Sequence, residues 1–382
     1  MIESPAGPTL DRGLANTIAA ESQMSFIDGE RGVLEYVGIE IDALARNSTF
    51  EESTFLLWHR RLPNAKELAE FTKTIQSEYQ LPDGVVAMIK QFPVEATPMH
   101  AVRTLASALA LYDPEADDAS PEANERKAIR LLAKIPALIA NFDRHRKGKD
   151  YLAPDASQTI AESFLTMLNG EKPSEAMARG FDICLILHAE HGFNASTFAS
   201  MVTISTLSDM YSAITTAIGT LKGPLHGGAN EGVMIMLNEI GELDKVDDFI
   251  EQKLANKDRI MGFGHRVYKA VDPRATYLKT FAKQISEDTG NQKLYEMSHR
   301  IEEIMHDKVS AKGIYPNVDF YSATTYHSLG LDLDLFTPIF AMARTSGWAG
   351  HCIEYLQDNR LMRPRCDYTG PHDVPYVPLA NR

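Results

Sequence analysis

Over most of the chain, apolar residues recur at three- and four-residue intervals, the spacing that lays one face of an α-helix on a core. Phe55, Leu56, Leu57 and Trp58 stand between polar residues over 50–61. Asn64 to Tyr79 has an amphipathic helical pattern that Pro82 ends. Residues 104–112 are rich in Ala and Leu, and the acidic stretch from Asp113 to Pro121 predicts a loop. A helix resumes from Glu122 to Phe142 with Pro136 as a kink, and the basic run Arg144 to Lys149 predicts a second loop with a solvated face. Further helices are expected over 173–190, 197–220, 230–240, 246–254, 273–289, 292–309 and 334–356, before a Pro-rich tail. Strand patterning is confined to Met24–Gly29 and Gly32–Tyr36 in an otherwise irregular start. No internal repeat or low-complexity segment is present. The pattern is that of a mostly α-helical protein, interrupted by polar Gly- or Pro-containing loops at 221–232, 258–270 and 311–323.

The length of 382 residues fits two domains or one large one. An apolar fraction of 44% and a charged fraction of 24% are ordinary for a globular protein and argue against disorder. Lys plus Arg total 38 against 52 Asp plus Glu, a net charge of −14. So acidic a chain suits neither nucleic acid nor an anionic membrane surface, and anionic substrates need a local cluster of cations. There is no apolar run of about 18 residues, so no spanning helix is expected. The opening MIESPAGPTLDRG has no signal-peptide pattern. Cys184, Cys352 and Cys366 are too few and scattered for a disulfide framework or a zinc site. A cytoplasmic protein with reduced thiols is expected.

Chemistry concentrates in the loops. Residues 223–232 (GPLHGGANEG) surround His226 with glycines and lead into a helix at Asn230, an arrangement for backbone packing against a ligand. The alternative is a plain helix corner. Residues 261–269 (MGFGHRVYK) present His265 beside cations. Gly262-x-Gly264 lacks the third glycine, Val267 standing there, and no buried strand precedes it, which disfavours a dinucleotide site. Asp319 lies among Val318, Phe320 and Tyr321, surroundings that raise a carboxyl pKa toward that of a general base; the alternative is a helix cap. His188 and His191 are expected about 60° apart on one helix face, yet they fit no zincin pattern and have no obvious further ligands. Arg344, with Arg360, Arg363 and Arg365 downstream, suggests a di- or tricarboxylate pocket.

Taken together, six segments resemble the citrate synthase family: HAEHGFNAST (188–197), GPLHGGANEGV (223–233), GFGHRVYKAVDPR (262–274), PNVDFYSA (316–323), PIFAMARTSGWAGH (338–351) and NRLMRPRCDYTGP (359–371). They occur in that family's order and spacing and are densest from about 180 to 372. The length is that of its shorter bacterial and archaeal type. The resemblance implies an all-α homodimer. Its large domain would span 1–222 and 335–382, and a small domain at 223–334 would close over the cleft. It implies condensation of oxaloacetate with an acyl-CoA, then thioester hydrolysis. Asp319 would be the base, His226 the enol stabiliser, and His265 the group that polarises the oxaloacetate carbonyl and acts as acid. His191, Arg274, Arg344 and Arg363 match the oxaloacetate ligands, Arg363 from the other subunit. Arg259, Ile260, Met261, Gly262 and Phe263 match the loop around the CoA adenine, with Lys269 and Lys312 as phosphate contacts. No metal, flavin or nicotinamide is implied. Tyr321-Ser322-Ala323 and residues 343–348 look like the 2-methylcitrate branch, and Arg363-Pro364-Arg365 like ordinary citrate synthases. An enzyme that takes both acetyl-CoA and propionyl-CoA is therefore expected. The alternatives are a strict citrate synthase and, remotely, a non-catalytic helical ligand-binding protein.

Overall fold

A computed structural model describes residues 10–382 apart from Ala15 and Arg266. Arg266, inside the 261–269 segment, and the first nine residues therefore lie outside the described part. A small antiparallel sheet comes first: β1 (Ser25–Asp28), β2 (Val33–Tyr36) and β3 (Ile39–Glu40), in that order. Then the chain is helical: α1 (Ile41–Asn47), α2 (Phe50–His59), α3 (Ala65–Ser77), α4 (Asp83–Gln91), α5 (Pro98–Ala108), α6 (Pro121–Arg146), α7 (Ile160–Asn169), α8 (Glu175–Ala189), α9 (Ala195–Ser205), α10 (Met210–Leu221), α11 (Ala229–Ile240), α12 (Val246–Ala255), α13 (Pro273–Thr289), α14 (Gln292–Val309), α15 (Val318–Ser328) and α16 (Phe336–Leu356). The fold is all-α, as expected. Among the described residues no helix is long and apolar enough to cross a membrane.

Several expectations need correction. The stretch 197–220 is two helices, because Leu207 turns into the left-handed region (φ 63°) and the Asp209 side chain accepts from Ser212 N–H to start α10. The basic run at 144–149 is not simply a solvated loop. Helix α6 continues to Arg146, whose guanidinium is anchored by Asp143, Asp332 and Asp334. Helix α6 also passes through Pro136 as one element, although the missing N–H leaves the Leu132 carbonyl without its helical donor. Helices α1, α4, α7 and α15 lie where no separate helix is expected from the pattern; α7 is fixed at its start by a capping box between Thr159 and Glu162.

Helix α16 is buried from Phe336 through Cys352 and packs on α2, α6, α8, α9 and α10. A sequence of that kind, apolar or small all round, can only sit in the middle of a helical protein. Helices α11–α15 pack mainly on one another, α13 and α11 on α15 and α12 on α14. They meet the rest where α13 touches α1 and α8 and where α11 touches α16. The β1–β2 turn reaches across as well: Gly29 O accepts from Lys269 N–H at 2.8 Å.

Phe181 on α8 stacks on Phe164 of α7 (centroids 5.2 Å apart) and meets Tyr326 of α15 edge-on. It is fully buried. Phe181→Ala is expected to cost about 3–5 kcal/mol of stability, read as a lowered denaturant midpoint at unchanged slope.

Candidate active site

Three loops and one helix converge on a single cleft. The first loop is the turn between α10 and α11. His226 N–H donates to Gly223 O at 2.9 Å, and Gly227 N–H to Leu221 O at 3.0 Å, which folds the Gly-rich segment back on α10. Thr337 at the start of α16 fastens the turn by donating to Glu231 Oε1 (2.6 Å), with Gly227 O also in reach at 3.2 Å. His226 Nε2 lies 3.3 Å from Ser196 N–H and 2.8 Å from Ser196 Oγ. A backbone N–H can only donate, so Nε2 is the acceptor and the neutral ring carries its proton on Nδ1. Trp348 Nε1–H of α16 donates to the same Ser196 Oγ at 3.1 Å.

The second loop carries His265. Its Nδ1 accepts from Val267 N–H (3.0 Å) and Tyr268 N–H (3.2 Å), so the neutral tautomer has its proton on Nε2. Gly262 has φ 78°, and a Cβ there would lie 2.7 Å from Val233 Cγ2 and 2.8 Å from Phe320 Cδ2, so only glycine lets this loop lie against α11 and α15.

The third segment is the entry to α15, where Asn317, not Asp319, is the cap. Asn317 Oδ1 accepts from Asp319 N–H (3.0 Å), its Nδ2 donates to Gly264 O (2.9 Å), and its N–H donates to Gly262 O (2.9 Å). One side chain thus joins the His265 loop to the helix that carries Asp319.

The cations are buried. Arg274 is 2% exposed and paired bidentately with Asp272, Nε to Oδ1 at 3.0 Å and Nη2 to Oδ2 at 2.8 Å. Asp272 Oδ2 also accepts from Val318 N–H, a second tie to α15. Arg344 is 1% exposed and donates from Nε to His188 O at 2.6 Å, its Cζ lying 4.7 Å from the Phe340 ring centre. His191 lies beyond the end of α8, past an extended Glu190. The shared helix face expected for His188 and His191 does not exist. His188 stays in the core with Nδ1 on Cys184 O, while His191 Nε2 meets Tyr268 OH at 3.1 Å and its ring stands 5.3 Å from that of His265. Among the described residues no group of His, Cys, Asp or Glu is arranged to hold a metal.

Burial sets the ionisation states. It pushes His226 and His265 each down to about 4, helped by Arg344 for the first and Arg274 for the second. His191 is driven well below its ordinary value by burial and both guanidiniums. Burial lifts Asp319 to about 6, against the pull of Arg274 and Arg344. Arg344 is lowered to about 10 by burial and stays a cation at neutral pH. Three neutral imidazoles, one carboxyl of raised pKa and two guanidiniums therefore share one cleft.

Arg363 is exposed on the arm after α16 and is not part of this single-chain cleft. Arg259, Lys269 and Lys312 are exposed, Ile260 and Phe263 buried. Gly313, next to Lys312, packs on the Lys269 backbone so closely that a Cβ there would lie 3.1 Å from Lys269 O. Reading the sequence missed Ser196, Tyr268 and Asp272 as partners of the site. All lie inside the quoted segments, but nothing local shows which distant side chain each meets.

The sequence model described as "Citrate synthase, C-terminal domain" matches residues 13–365. The chain belongs to the citrate synthase family. This is a family of acyltransferases. The chain is 53% identical over 375 residues to "Citrate synthase 2" of Bacillus subtilis (strain 168), covering 98% of this chain and 100% of that one. It is 41% identical over 360 residues to "Citrate/2-methylcitrate synthase" of the same organism, covering 94% and 96%. Among solved structures it is similar to the citrate synthase of Thermoplasma acidophilum in ternary complex with carboxymethyl coenzyme A and oxaloacetate, with TM-score 0.92, 35% identity and coverage of 98% and 100%.

Histidines whose pKa is depressed by folding add stability that is present above about 6.5 and is lost as pH falls through about 4. NMR titration of the His226 and His265 rings is expected to show both neutral from pH 8 down to about 5.5, with transitions near 4; a ring titrating above 6 contradicts the burial argument.

Proposed function

We propose that this chain condenses acetyl-CoA with oxaloacetate and hydrolyses the product thioester, giving citrate and CoA, and that it also takes propionyl-CoA, giving 2-methylcitrate. The observation that carries the reading is one cleft holding a carboxyl lifted to about 6, two imidazoles with known proton positions and two buried guanidiniums. A thioester α-proton is weakly acidic, so its removal needs a base and a donor to the developing enolate at once. Asp319 takes that proton. His226 offers Nδ1–H to the enol oxygen. The enol carbon attacks the ketone carbon of oxaloacetate, whose oxygen takes the proton of His265 Nε2–H as it becomes an alkoxide. Water then cleaves the thioester and CoA leaves as the thiol.

Oxaloacetate lies on His191, Arg274 and Arg344, with Arg363 supplied by the second subunit of a homodimer. The exposed position of Arg363, on an arm outside its own cleft, supports that assignment. Residues 259–263 surround the CoA adenine, and Lys269 and Lys312 face its phosphates. Residues 223–334 move as a unit to exclude water until condensation is complete; the packing of α11–α15 mainly on one another supports this. The chemistry is neither redox nor dependent on a Lewis acid, so the reading includes no cofactor. A cytoplasmic setting goes with it, supported by three unpaired cysteines. Acceptance of both thioesters rests on the Tyr321-Ser322-Ala323 and 343–348 segments, and on physics: one extra methylene shifts discrimination by only about 1–3 kcal/mol.

Free-thiol release is expected to require oxaloacetate and to occur with both acyl-CoAs; none with propionyl-CoA leaves a strict citrate synthase, and none with either ends the reading. Because the base acts as a carboxylate, kcat/KM is expected to fall as pH drops through about 6. Asp319→Asn is expected to lower kcat by about 10²- to 10⁴-fold. Mixing inactive Arg363→Ala with inactive Asp319→Asn chains under subunit exchange is expected to restore activity, since one cleft of each hybrid dimer is then complete. No recovery argues against a shared site.

A further inference from the structure

The segment that carries His191 is anchored by a buried charge that the reaction above does not use. Glu190 is wholly buried. Its Oε1 accepts from Ser25 Oγ on β1 (3.0 Å), from His351 Nε2 on α16 (2.9 Å) and from Gly192 N–H in its own turn. Tyr36 OH of β2 grips the same backbone, accepting Glu190 N–H at 3.1 Å with Ile186 O and Glu190 O in reach of its proton. Glu190 Oε2 is buried and has no hydrogen-bond donor. It lies against α16 where a Cβ on Gly347 would be 2.4 Å away, so residue 347 has to be glycine for the carboxylate to fit. Arg344, Gly347 and His351 follow one face of α16, and the Arg344 charge bears on Glu190. Burial acts to raise the Glu190 carboxyl, but His351, Arg344 and Ser25 outweigh it and hold it below its ordinary value, ionised.

The contrast with Arg274 is informative. There, Asp272 takes the fork of the guanidinium face on. Arg344 has a carboxylate nearby as well, but no ion pair forms: Glu190 is drawn away by Ser25, His351 and Gly192. Only Nε of Arg344 is engaged, on His188 O. The charge is balanced while the fork stays open.

We propose that Glu190 is a positioning residue for the dicarboxylate substrate. Held off by Ser25 and His351, it balances Arg344 without occupying Nη1 and Nη2, and it fixes the turn that presents His191. This rests on the reading of the cleft as an oxaloacetate site. In this account Ser25 and His351 act through Glu190 and touch no substrate.

The test is steady-state kinetics by thiol release, with each substrate varied at saturation of the other. Glu190→Gln is expected to raise the KM for oxaloacetate about 10- to 100-fold and to leave the KM for acetyl-CoA within about twofold. Glu190→Asp, which keeps the charge, is expected to recover part of the loss. Ser25→Ala is expected to move the oxaloacetate KM the same way by a few-fold, and it stands as the test if Glu190→Gln does not fold. Arg344→Ala is the control for the site itself: an unchanged oxaloacetate KM there overturns the reading of the cleft. If Arg344→Ala loses oxaloacetate binding while Glu190→Gln and Ser25→Ala keep it, the positioning role alone is overturned. It is equally overturned if both KM values rise together with a lowered melting temperature, the mark of a merely structural residue.

Discussion

The cleft is organised around two guanidinium groups that the fold has taken almost wholly out of water. Removing an ion from water costs several kcal/mol even after relaxation, and it is tolerated only where partners are in place. Arg274 has its partner in Asp272, two residues away on the same helix entry. Arg344 has a carboxylate near it but not on it. The other ionisation states follow from these two cations and the burial they share. The imidazoles around them stay neutral, because a further positive charge in the same dry space is disfavoured twice, by desolvation and by repulsion. Asp319 is raised by burial but held from rising further by the same cations. An overall acidic protein thus keeps a pair of cations, Arg274 and Arg344, buried close to three imidazoles and a carboxyl.

Part of the site comes from α16, and the rest from loops and the first turn of α15. Arg344 and Trp348 come from the buried face of that helix, Thr337 from its first turn, and His351 from its far end. His226 and His265 arrive on loops and Asp319 in the first turn of α15, and specific bonds index them: Ser196 N–H for His226, two successive N–H groups for His265, and the Asn317 side chain for Asp319. Because the bonds to both imidazoles come from backbone N–H donors, the proton positions on the rings are built in rather than chosen by the substrate.

Much of this was legible in the sequence, for a physical reason. Long amphipathic helices announce themselves by period, and glycines crowded around a single histidine announce a backbone that must turn tightly or approach something closely. The helices that were missed or merged are short or broken by residues with no strong signal. Leu207 in a left-handed conformation is one example, since nothing in a leucine predicts it. The face shared by His188 and His191 failed because periodicity cannot say where a helix stops; Glu190 leaves the helix to reach Ser25 and His351, residues 165 and 161 positions away. Buried pairings of that kind leave no local trace, which is why Ser196, Asp272 and Glu190 emerge only from three-dimensional contacts while His226, His265 and Asp319 stand out in the chain.

The bond between Gly29 and Lys269 has a consequence for how the protein is made. A chain emerging from the ribosome at about 5–20 residues per second adds the 240 residues between those positions in roughly ten seconds to a minute. Throughout that interval the turn between the first two strands exists without the loop it is shaped to meet. The first structure to be synthesised is thus finished late: the opening hairpin waits for the His265 loop, 240 positions further along the chain.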